Sequence, residues 1–559
     1  MENKNLKIQG IGHRVEEKSG NTEKGAGKEV GVLFCSISTL CALRSPLFCI
    51  LCLVFCSLAS SVFLFLSFPP VGAWPFAWIS LVPLFFLLDK GATKRAAFGW
   101  SYLTGFIFFL AVLQWIHFVT TPGLILLAAY LALYFGMFGI LYCWTSRFPA
   151  GFRLFLIPAG WIVLEYVRGT ALTGFNWGSL GHSQATCTGL IAVASFAGVS
   201  GVSFLVVLGN VMLQQIVLAY FQQKAWKWYV IPMTMVGIVV ILAGIFARGI
   251  PYTEVGRARA VKVALIQPNI SLADAWHPAL KSDIVRWQIE MSQQTLSDKP
   301  DLIIWPENSF PSFIWELPEL FDEVKAFARK NKVSLLIGAV TKEGDKYFNS
   351  ALLIWPNGEV VKTHSKRHLV LFGEYIPFRK EFPFLSDIVP IDDFTPGVEE
   401  TVFELPNGIK FSVLVCFEDT IPELARRYVH KSADFLVNMT NDAWFRDSGQ
   451  PRTHLNNAIF RSVENGRPLI RATNTGESCV VSKGGRVERC VEDLNRRRVL
   501  VDGVAVATVT LSSEQTFYTK YGEIFTFLCF LGILGALGAC GLDMRKGKGY
   551  GDDKKDSTR

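Results

Sequence analysis

Long apolar stretches dominate the first half of the chain. Between Pro46 and Ala247 only ten residues are charged. A membrane-spanning helix needs about 20 mostly apolar residues in a row, and this block has room for seven such helices. The predicted spans are residues 46–67, 71–88, 97–118, 123–144, 154–170, 189–219 and 228–247, and an eighth is predicted at residues 524–542.

The pattern changes after Gly249. Short apolar runs rich in β-branched residues predict buried strands, and stretches of helical periodicity lie between them. Alternation of strands with helices is typical of an α/β domain. Strands are predicted at residues 261–266, 302–305, 334–340, 350–355, 411–415 and 434–437, and helices at residues 318–330 and 421–430.

The placement of positive charge predicts the orientation of the chain in the membrane. The formal net charge is +8, although only 18% of the residues are charged and the mean hydropathy is +0.32. Lys and Arg collect in the loops after the second, fourth and sixth spans and in the C-terminal tail, and such residues mark cytoplasmic segments. Both termini are therefore predicted in the cytoplasm and the α/β segment outside it. No basic stripe with interleaved aromatic residues indicates nucleic-acid binding.

These features divide the chain into five parts. The first thirty residues are polar, so no cleavable signal peptide is expected at the start. The α/β segment is long enough to bury a core of its own. The predicted parts are a polar N-terminal segment (1–45), a seven-helix transmembrane domain (46–250), an extracytoplasmic α/β domain (251–522), a C-terminal transmembrane helix (523–542) and a basic cytoplasmic tail (543–559).

Three polar residues follow predicted strands, where chemistry tends to lie in α/β domains. They are Glu307, Lys366 and Cys416. A thiol near a helix N-terminus has a lowered pKa and can act as a nucleophile. A carboxylate can take the thiol proton, and an ammonium group can stabilise an oxyanion. Each residue also has an ordinary alternative role, as a packed thiol, a helix cap or a solvated lysine.

The cysteines do not form a disulfide framework, because most of the twelve lie in or beside predicted spans. Cys49 and Cys52 form a CxxC pair on an apolar helix, where we expect packing rather than metal binding. No Gly-rich phosphate loop is present, and no metal or cofactor is expected. Cys479 and Cys490 face each other in a hairpin predicted around Gly484-Gly485. They either form a disulfide outside the cytoplasm or remain two reduced thiols.

Glu307, Lys366 and Cys416, in this order and each at a strand end, resemble the Glu-Lys-Cys triad of the nitrilase superfamily. Longer strings resemble the apolipoprotein N-acyltransferase family and extend the resemblance over about residues 46–540. In the α/β segment the matching strings are Trp305-Pro306-Glu307-Asn308-Ser309, His368-Leu369-Val370, Phe372-Gly373-Glu374-Tyr375-Ile376-Pro377, Asn441-Asp442-Ala443-Trp444-Phe445, Gly466-Arg467-Pro468 and Arg471-Ala472-Thr473-Asn474-Thr475-Gly476. In the membrane part they are Trp161, Glu165-Tyr166-Val167-Arg168-Gly169, Asn176-Trp177 and Gly181-His182-Ser183-Gln184.

The resemblance implies a polytopic α-helical membrane domain joined to an α/β nitrilase-like domain, folded as a four-layer α-β-β-α sandwich. It implies a multi-pass enzyme of the bacterial cytoplasmic (inner) membrane with its catalytic domain on the periplasmic side. Such an enzyme takes an acyl chain from a membrane phospholipid, usually phosphatidylethanolamine, and holds it as a thioester. It then passes the chain to the α-amino group of the diacylglyceryl-cysteine of an apolipoprotein.

The resemblance also implies a role for individual residues, without a cofactor or metal. It makes Cys416 the nucleophile, Glu307 the general base and Lys366 the oxyanion stabiliser. The positions that it marks as supporting the triad or binding substrate are Glu374, Glu418, Trp276, Phe417 and Trp444.

Three residues depart from the family pattern, and two other functions remain as alternatives. Leu371 replaces the usual proline, Phe417 a common tyrosine and Arg446 a usual glycine. The first two predict small changes in the wall of the site, and Arg446 either alters headgroup contact or is a solvated loop residue. The first alternative function is a membrane-tethered amidase or nitrile hydrolase for a small soluble substrate, and the second is a non-catalytic lipoprotein-binding module. Consumption of phospholipid and a thioester at Cys416 would distinguish them.

Overall fold

The computed structural model describes residues 46–89, 92–223, 259–275, 277–377 and 393–552, with isolated residues in the gaps at 224–258 and 378–392. The predicted N-terminal segment 1–45 and nearly all of the predicted span 228–247 lie outside the described residues. The number of seven spans before the α/β domain therefore stays a prediction.

Apolar helices form the first part of the described chain. Within lipid, backbone N–H and C=O groups have no water to bind, so a helix that satisfies them internally is favoured. Among the described residues, five helices are long and apolar enough to cross a membrane. In chain order they are the first, third, fourth, fifth and seventh of the seven helices given in the next sentence. The helices are α1 (Pro46–Ser67), α2 (Val82–Leu88), α3 (Lys94–Val112), α4 (Thr121–Thr145), α5 (Ala150–Thr170), α6 (Thr188–Ile191) and α7 (Ala194–Phe221).

Three predicted spans are divided in the structure, and the simplest case is 97–118, where α3 ends at Val112 and the 3-10 turn Gln114–Phe118 follows. The predicted span 71–88 consists of a 3-10 turn, Trp74–Trp78, followed by α2, and each piece begins with a proline in its first turn. Proline lacks an N–H donor, so it starts a helix more readily than it continues one. The predicted span 189–219 begins as α6 and continues as α7, which is kinked at Gly198 with φ +64°. A Cβ at Gly198 would lie 2.7 Å from the ring of Tyr518, so the C-terminal segment packs directly into this kink.

Within the described residues of the α/β domain, twelve strands form two six-stranded mixed sheets. The strands of the first sheet are β1 (Ala260–Gln267), β2 (Leu302–Ile304), β3 (Ser334–Glu343), β4 (Lys346–Ile354), β5 (Val360–Ser365) and β12 (Gly503–Thr510), in the order β12-β1-β2-β3-β4-β5. The strands of the second sheet are β6 (Phe403–Glu404), β7 (Lys410–Val415), β8 (Phe435–Thr440), β9 (Leu469–Thr473), β10 (Cys479–Val481) and β11 (Val487–Cys490), in the order β11-β10-β9-β8-β7-β6. In the first sheet β1, β2 and β3 run parallel, and the chain continues from β2 to Glu307. In the second sheet β7, β8 and β9 run parallel, and the chain continues from β7 to Cys416.

The remaining α-helices include those that cover the outer faces of the two sheets, whereas the last of them packs against the membrane domain, where Cys529 and Ile533 belong to that domain's buried cluster. They are α8 (Leu272–Ala275), α9 (Lys281–Gln294), α10 (Pro318–Asn331), α11 (Pro422–His430), α12 (Gln450–Asn465), α13 (Phe517–Tyr521) and α14 (Ile524–Asp552). One buried cluster joins the inner faces of both sheets, including Leu265 and Val413. A second packs α9 and α10 against the first sheet, and a third packs α11 and α12 against the second. This arrangement is the predicted α-β-β-α sandwich.

The helix layer on the second sheet rests on the membrane domain. The third cluster contains Ile191 and Val202 of the membrane domain together with Ile459 of α12. Glu464 accepts a hydrogen bond from the backbone N–H of Val199 at 3.0 Å, immediately after the kink of α7. The loops that follow the second sheet's strands are thereby held against the ends of the membrane helices.

The hairpin that contains Cys479 and Cys490 has the predicted pairing at these two residues, but a register shift after Val480 pairs Val481 with Val487 instead of the predicted Glu488. The two cysteines are direct partners in the register of β10 and β11, and both are thiols. Directly opposite residues have Cα atoms about 5.5 Å or less apart, within the range of a disulfide. A hydrogen bond from Cys479 lowers the pKa of the Cys490 thiol, so Cys490 is the better nucleophile for thiol–disulfide exchange.

Mild oxidation with a small disulfide reagent is expected to join Cys479 and Cys490. In the test, protein treated with the oxidant is unfolded without reductant and alkylated, and the labelled peptides are identified by mass. The pair should lose its label, whereas Cys479 should remain labelled in the Cys490→Ser variant. Full alkylation of both residues after oxidation would show that the bridge does not form.

Candidate active site

The two sheets bring three predicted residues to one buried place. Glu307 follows β2, Lys366 follows β5, and Cys416 follows β7. The Nζ of Lys366 lies 3.6 Å from Oε1 of Glu307. Glu307 and Lys366 are both close enough to shift the pKa of the Cys416 thiol, in opposite directions. A carboxylate, an ammonium group and a thiol therefore share one site between the sheets.

Glu307 is a buried carboxylate with three neighbouring donors. Its Oε1 accepts a hydrogen bond from Nδ2 of Asn349 at 2.8 Å, and its Oε2 accepts one from the backbone N–H of Asn441 at 3.0 Å. Burial raises the pKa of Glu307, against the opposite effect of Lys366. A raised pKa makes a glutamate a stronger base near neutral pH. A Cβ at Gly338 would lie 2.7 Å from the Cα of Glu307, so the neighbouring strand can pass here only without a side chain.

Lys366 is held by two carboxylates. Its Nζ lies 2.9 Å from Oε2 of Glu374 and, as given above, within ion-pair distance of Glu307. Asn349 bridges the same two carboxylates and donates to Glu374 at 2.9 Å. Burial opposes the charge on Lys366, yet Glu374 and Glu307 outweigh it and raise the pKa of Lys366. Lys366 is therefore a permanent cation beside the thiol.

The family resemblance makes Lys366 an oxyanion stabiliser, and on that expectation replacing Lys366 with methionine should reduce acyl-enzyme formation by about 10²-fold, since a lost oxyanion donor costs about 3 kcal/mol. Methionine keeps the length of the side chain, so the effect reports the lost charge. The measurement is the rate at which labelled acyl chain becomes bound to the protein. Lys362→Met, an exposed change on β5, the strand that precedes Lys366, is the control and should react at the normal rate. A normal rate in Lys366→Met would remove Lys366 from the reaction.

Cys416 stands at a strained turn. It has φ +51° and opens a 3-10 turn, Cys416–Thr420, that lies between β7 and α11. A non-glycine residue with positive φ is strained and persists only where the surrounding structure holds it. Such residues cluster at functional sites. Asn438 helps to hold the backbone of Cys416 in this conformation, since its Nδ2 donates a hydrogen bond to the Cys416 carbonyl at 3.2 Å.

The expected lowering of the Cys416 pKa by a helix N-terminus is wrong. Burial raises the pKa of this thiol well above its usual value, Glu307 raises it further, and Lys366 only partly opposes them. The residue begins a short buried 3-10 turn rather than a long helix, so desolvation outweighs any helix dipole. The resting thiol is therefore protonated, and a nearby base is required to activate it.

Glu418 ties the lysine loop to the cysteine turn. Its Oε1 accepts hydrogen bonds from the backbone N–H groups of Arg367 at 2.7 Å and His368 at 3.1 Å, and its Oε2 accepts one from Val415 at 2.8 Å. Burial opposes its charge, but His364, the backbone N–H of Val415 and the charge of Lys366 lower the pKa of Glu418. Glu418 thus stays ionised and fixes the relative position of Lys366 and Cys416.

Phe417 and Arg446 lie on the side of the site that faces the membrane helices. Phe417 stacks on His368 with ring centroids 6.1 Å apart and packs against the core of the membrane domain. Trp444 is about half exposed, on the 3-10 turn Asp442–Phe445. The guanidinium of Arg446 lies 5.2 Å from the ring centre of Phe118. Trp276 lies outside the described residues.

The structure adds residues that the sequence did not single out. Asp419, Asp442, His454 and Arg471 form a completely buried charge cluster behind Cys416. The signal in the sequence was a charged residue within an apolar run, as Arg471 is in β9. In the described part of the chain, no group of three or more acidic, His or Cys side chains is placed to hold a metal ion.

The membrane domain completes one wall of the site. Nδ2 of Asn176 donates to the Thr420 carbonyl at 2.8 Å. Trp115 packs its ring edge-to-face with Phe445 at 4.7 Å and lies 5.0 Å from Trp177. The cysteine turn and the Asp442–Phe445 turn are therefore in direct contact with apolar side chains of the membrane domain. A substrate with long hydrocarbon chains suits this wall.

Comparison with known proteins gives matches to both halves of the chain. A family model described as apolipoprotein N-acyltransferase N-terminal domain matches residues 60–212, and one described as carbon-nitrogen hydrolase matches residues 262–515. An apolipoprotein N-acyltransferase of Geobacter metallireducens is 35% identical over 489 residues, which cover 84% of this chain and 92% of the relative. One of Vibrio cholerae serotype O1 is 31% identical over 482 residues, which cover 82% and 91%. A solved amidase from Nesterenkonia sp. AN1, with acrylamide added at its active-site cysteine, has a TM-score of 0.36 and 18% identity and covers 48% of this chain and 99% of that chain.

The matches and the architecture agree over most of the chain. The first family model falls on the apolar helices and the second on the α/β sandwich. The membrane-crossing helices and the bacterial relatives make this a multi-pass protein of the inner membrane. The chain belongs to the apolipoprotein N-acyltransferase family.

Proposed function

We propose that this protein moves an acyl chain from a membrane phospholipid to the α-amino group of a lipoprotein's diacylglyceryl-cysteine, through a thioester on Cys416. Lipoprotein N-acylation is the activity named for its relatives. The single observation that carries the finer mechanism is the buried group of Glu307, Lys366 and Cys416 against the membrane domain. The conditions for nucleophilic acyl transfer are met there, namely a nucleophile, a base and an oxyanion stabiliser.

In the first half-reaction, Glu307 takes the proton from the Cys416 thiol. The thiolate attacks the ester carbonyl of the phospholipid, and the oxyanion of the tetrahedral intermediate is stabilised by Lys366. Collapse of the intermediate breaks the ester bond and releases the alkoxide of the lysophospholipid, which takes the proton from Glu307. The acyl chain remains as a thioester on Cys416.

In the second half-reaction, the lipoprotein amine replaces the lysophospholipid in the site. The amine attacks the thioester carbonyl, Glu307 accepts the amine proton, and Lys366 again stabilises the oxyanion. Collapse forms the amide and returns the thiolate, which recovers its proton from Glu307. The base therefore has to cycle between two protonation states, and the raised pKa of Glu307 favours its uptake of a proton.

The supporting residues have distinct proposed roles. Glu374 holds Lys366, and Glu418 holds the lysine loop against the cysteine turn. Phe417 and Trp444 form apolar walls for acyl chains, and Trp276 stays a candidate on the family resemblance alone. The distribution of Lys and Arg supports a periplasmic catalytic domain with both termini in the cytoplasm.

The test uses the purified full chain in detergent micelles with a diacylglyceryl peptide and acyl-labelled phospholipids. Phosphatidylethanolamine is expected to give lysophospholipid, a hydroxylamine-sensitive label on Cys416 and then labelled peptide. Phosphatidylglycerol and phosphatidylcholine in parallel define the headgroup preference. Hydrolysis of small amides or nitriles without phospholipid consumption would support the tethered amidase instead. Absence of any protein-bound acyl chain would support a binding module.

A further inference from the structure

A compact charge cluster lies behind the cysteine turn, and the proposed mechanism does not use it. Nδ1 of His454 lies 3.0 Å from Oδ1 of Asp442, and its Nε2 lies 3.0 Å from Oδ1 of Asp419. Arg471 pairs with the other oxygens of the same carboxylates, at 2.9 Å for Asp442 and 3.3 Å for Asp419. All four side chains are at most 1% exposed. Two carboxylates and two cations alternate in a closed ring.

His454 connects this ring to the nucleophile. Its Nε2 also lies 3.2 Å from the carbonyl oxygen of Cys416, the residue with the strained backbone. Its ring lies 5.4 Å from the ring of Trp177, on the loop of the membrane domain. His454 thus stands between the cysteine turn and the membrane wall of the site.

The charge of His454 is set by the groups that face it. Burial and Arg471 on β9 oppose protonation, but Asp419 on the cysteine turn and Asp442 on the turn after β8 outweigh them and raise the pKa of His454 to about 9. The other facing groups, Trp177 and Gln450, carry no charge. With His454 protonated the ring of four charges is neutral. Without that proton it carries one net negative charge directly behind Cys416.

We propose that His454 is a positioning residue for Cys416: it holds the strained Cys416 carbonyl through Nε2–H, and its positive charge balances Asp442 beside the thiol. The negative charge of Asp442 by itself opposes formation of the thiolate. The inference deepens the proposed function, because it rests on Cys416 as the nucleophile. It assigns a role in the reaction to a residue that does not touch the substrate.

The first test replaces His454 with glutamine, which can still donate a hydrogen bond but carries no charge. The readout is the rate of Cys416 alkylation by iodoacetamide between pH 6 and 9, followed by peptide mass. We expect alkylation at pH 7 to be about tenfold slower, since one pKa unit is a factor of ten, and the profile to shift to higher pH. Acyl-enzyme formation should fall similarly in kcat, with KM for phospholipid unchanged.

The control is His182→Gln, since His182 is another buried histidine at the same interface, where its ring lies 5.1 Å from that of Phe460. Its alkylation profile should match that of the unmodified protein. Identical profiles for His454→Gln and the unmodified protein would overturn the proposal. A profile that shifts equally in both variants would also overturn it, because it would indicate general loosening of the interface.

A second comparison separates charge from packing. Asp442→Asn removes the negative charge that His454 balances, and the double variant with His454→Gln is again neutral. We expect alkylation of the double variant to be faster than that of His454→Gln and slower than that of Asp442→Asn. If His454→Gln alone does not fold, the alkylation rates of Asp442→Asn and of the double variant still test the role of the His454 charge. Equal alkylation rates in these two variants would overturn the proposal. Alkylation needs no lipid, so this outcome is independent of whether phospholipid is the acyl donor.

Discussion

Serine or alanine at position 416 is expected to abolish acyl transfer while leaving the protein folded. The loss should be on the order of 10⁴-fold or more, as for other enzymes that lose their nucleophile. A serine hydroxyl has a far higher pKa than a thiol, and the site already raises the pKa of Cys416, so almost no alkoxide would form. Both replacements keep a Cβ at this residue and so do not change the backbone strain there.

The measurement for this prediction combines activity with folding. Labelled phospholipid and diacylglyceryl peptide report transfer, and the midpoint of thermal unfolding in micelles reports the fold. Cys490→Ser, at the edge strand of the second sheet, is a matched control that should retain activity. Substantial transfer by either variant at position 416 would remove Cys416 from the mechanism, whatever the role of its neighbours.

Glutamine in place of Glu307 is expected to stop formation of the thioester. The amide has nearly the same shape and can still accept a hydrogen bond from Asn349 or Asn441, but it cannot accept the thiol proton. A general base increases the reaction rate by about 10²–10⁴-fold. Because the pKa of the Cys416 thiol is high, we expect the loss of rate in Glu307→Gln to lie toward the upper end of this range. The rate of protein-bound acyl label measures the effect.

The pH dependence of acyl-enzyme formation supplies a second readout for Glu307. The base acts only when deprotonated, and burial raises its pKa, so the rate of the unmodified protein should fall as the pH decreases through a value above the usual range of a glutamate. Glu319→Gln, an exposed change in the first turn of α10, should retain this acid limb. A Glu307→Gln variant that forms thioester at the normal rate would contradict the assignment of the base.

Local pattern was sufficient for the elements that carry the site. The apolar β-branched runs at 261–266, 302–305 and 411–415 became β1, β2 and β7 within a residue at each end. The helix predicted at 318–330 became α10. Such elements are readable because an apolar run, or a helical spacing of apolar residues, is a property of neighbouring residues. Strand ends then indicated Glu307, Lys366 and Cys416 as candidates, and the family resemblance implied their roles.

Other elements differ from the prediction, and the physical reason differs from one element to the next. β9 contains Arg471 in a fully buried strand, and a charge there is tolerated only because Asp419 and Asp442 pair with it. The strand predicted at 350–355 is the second part of a longer β4, whose first residues pair with β3. The predicted span 71–88 is divided because its prolines start new turns.

The sequence by itself determined that apolar helices accompany an α/β domain, and which three side chains were candidates for the chemistry. Only the tertiary structure decided the protonation of the Cys416 thiol, because burial and the nearby charges of Glu307 and Lys366 act through space. It alone assembled Asp419, Asp442, His454 and Arg471, which come from four separate elements. Periodicity records which face of an element is apolar, whereas an electrostatic environment depends on distances between residues far apart in the chain.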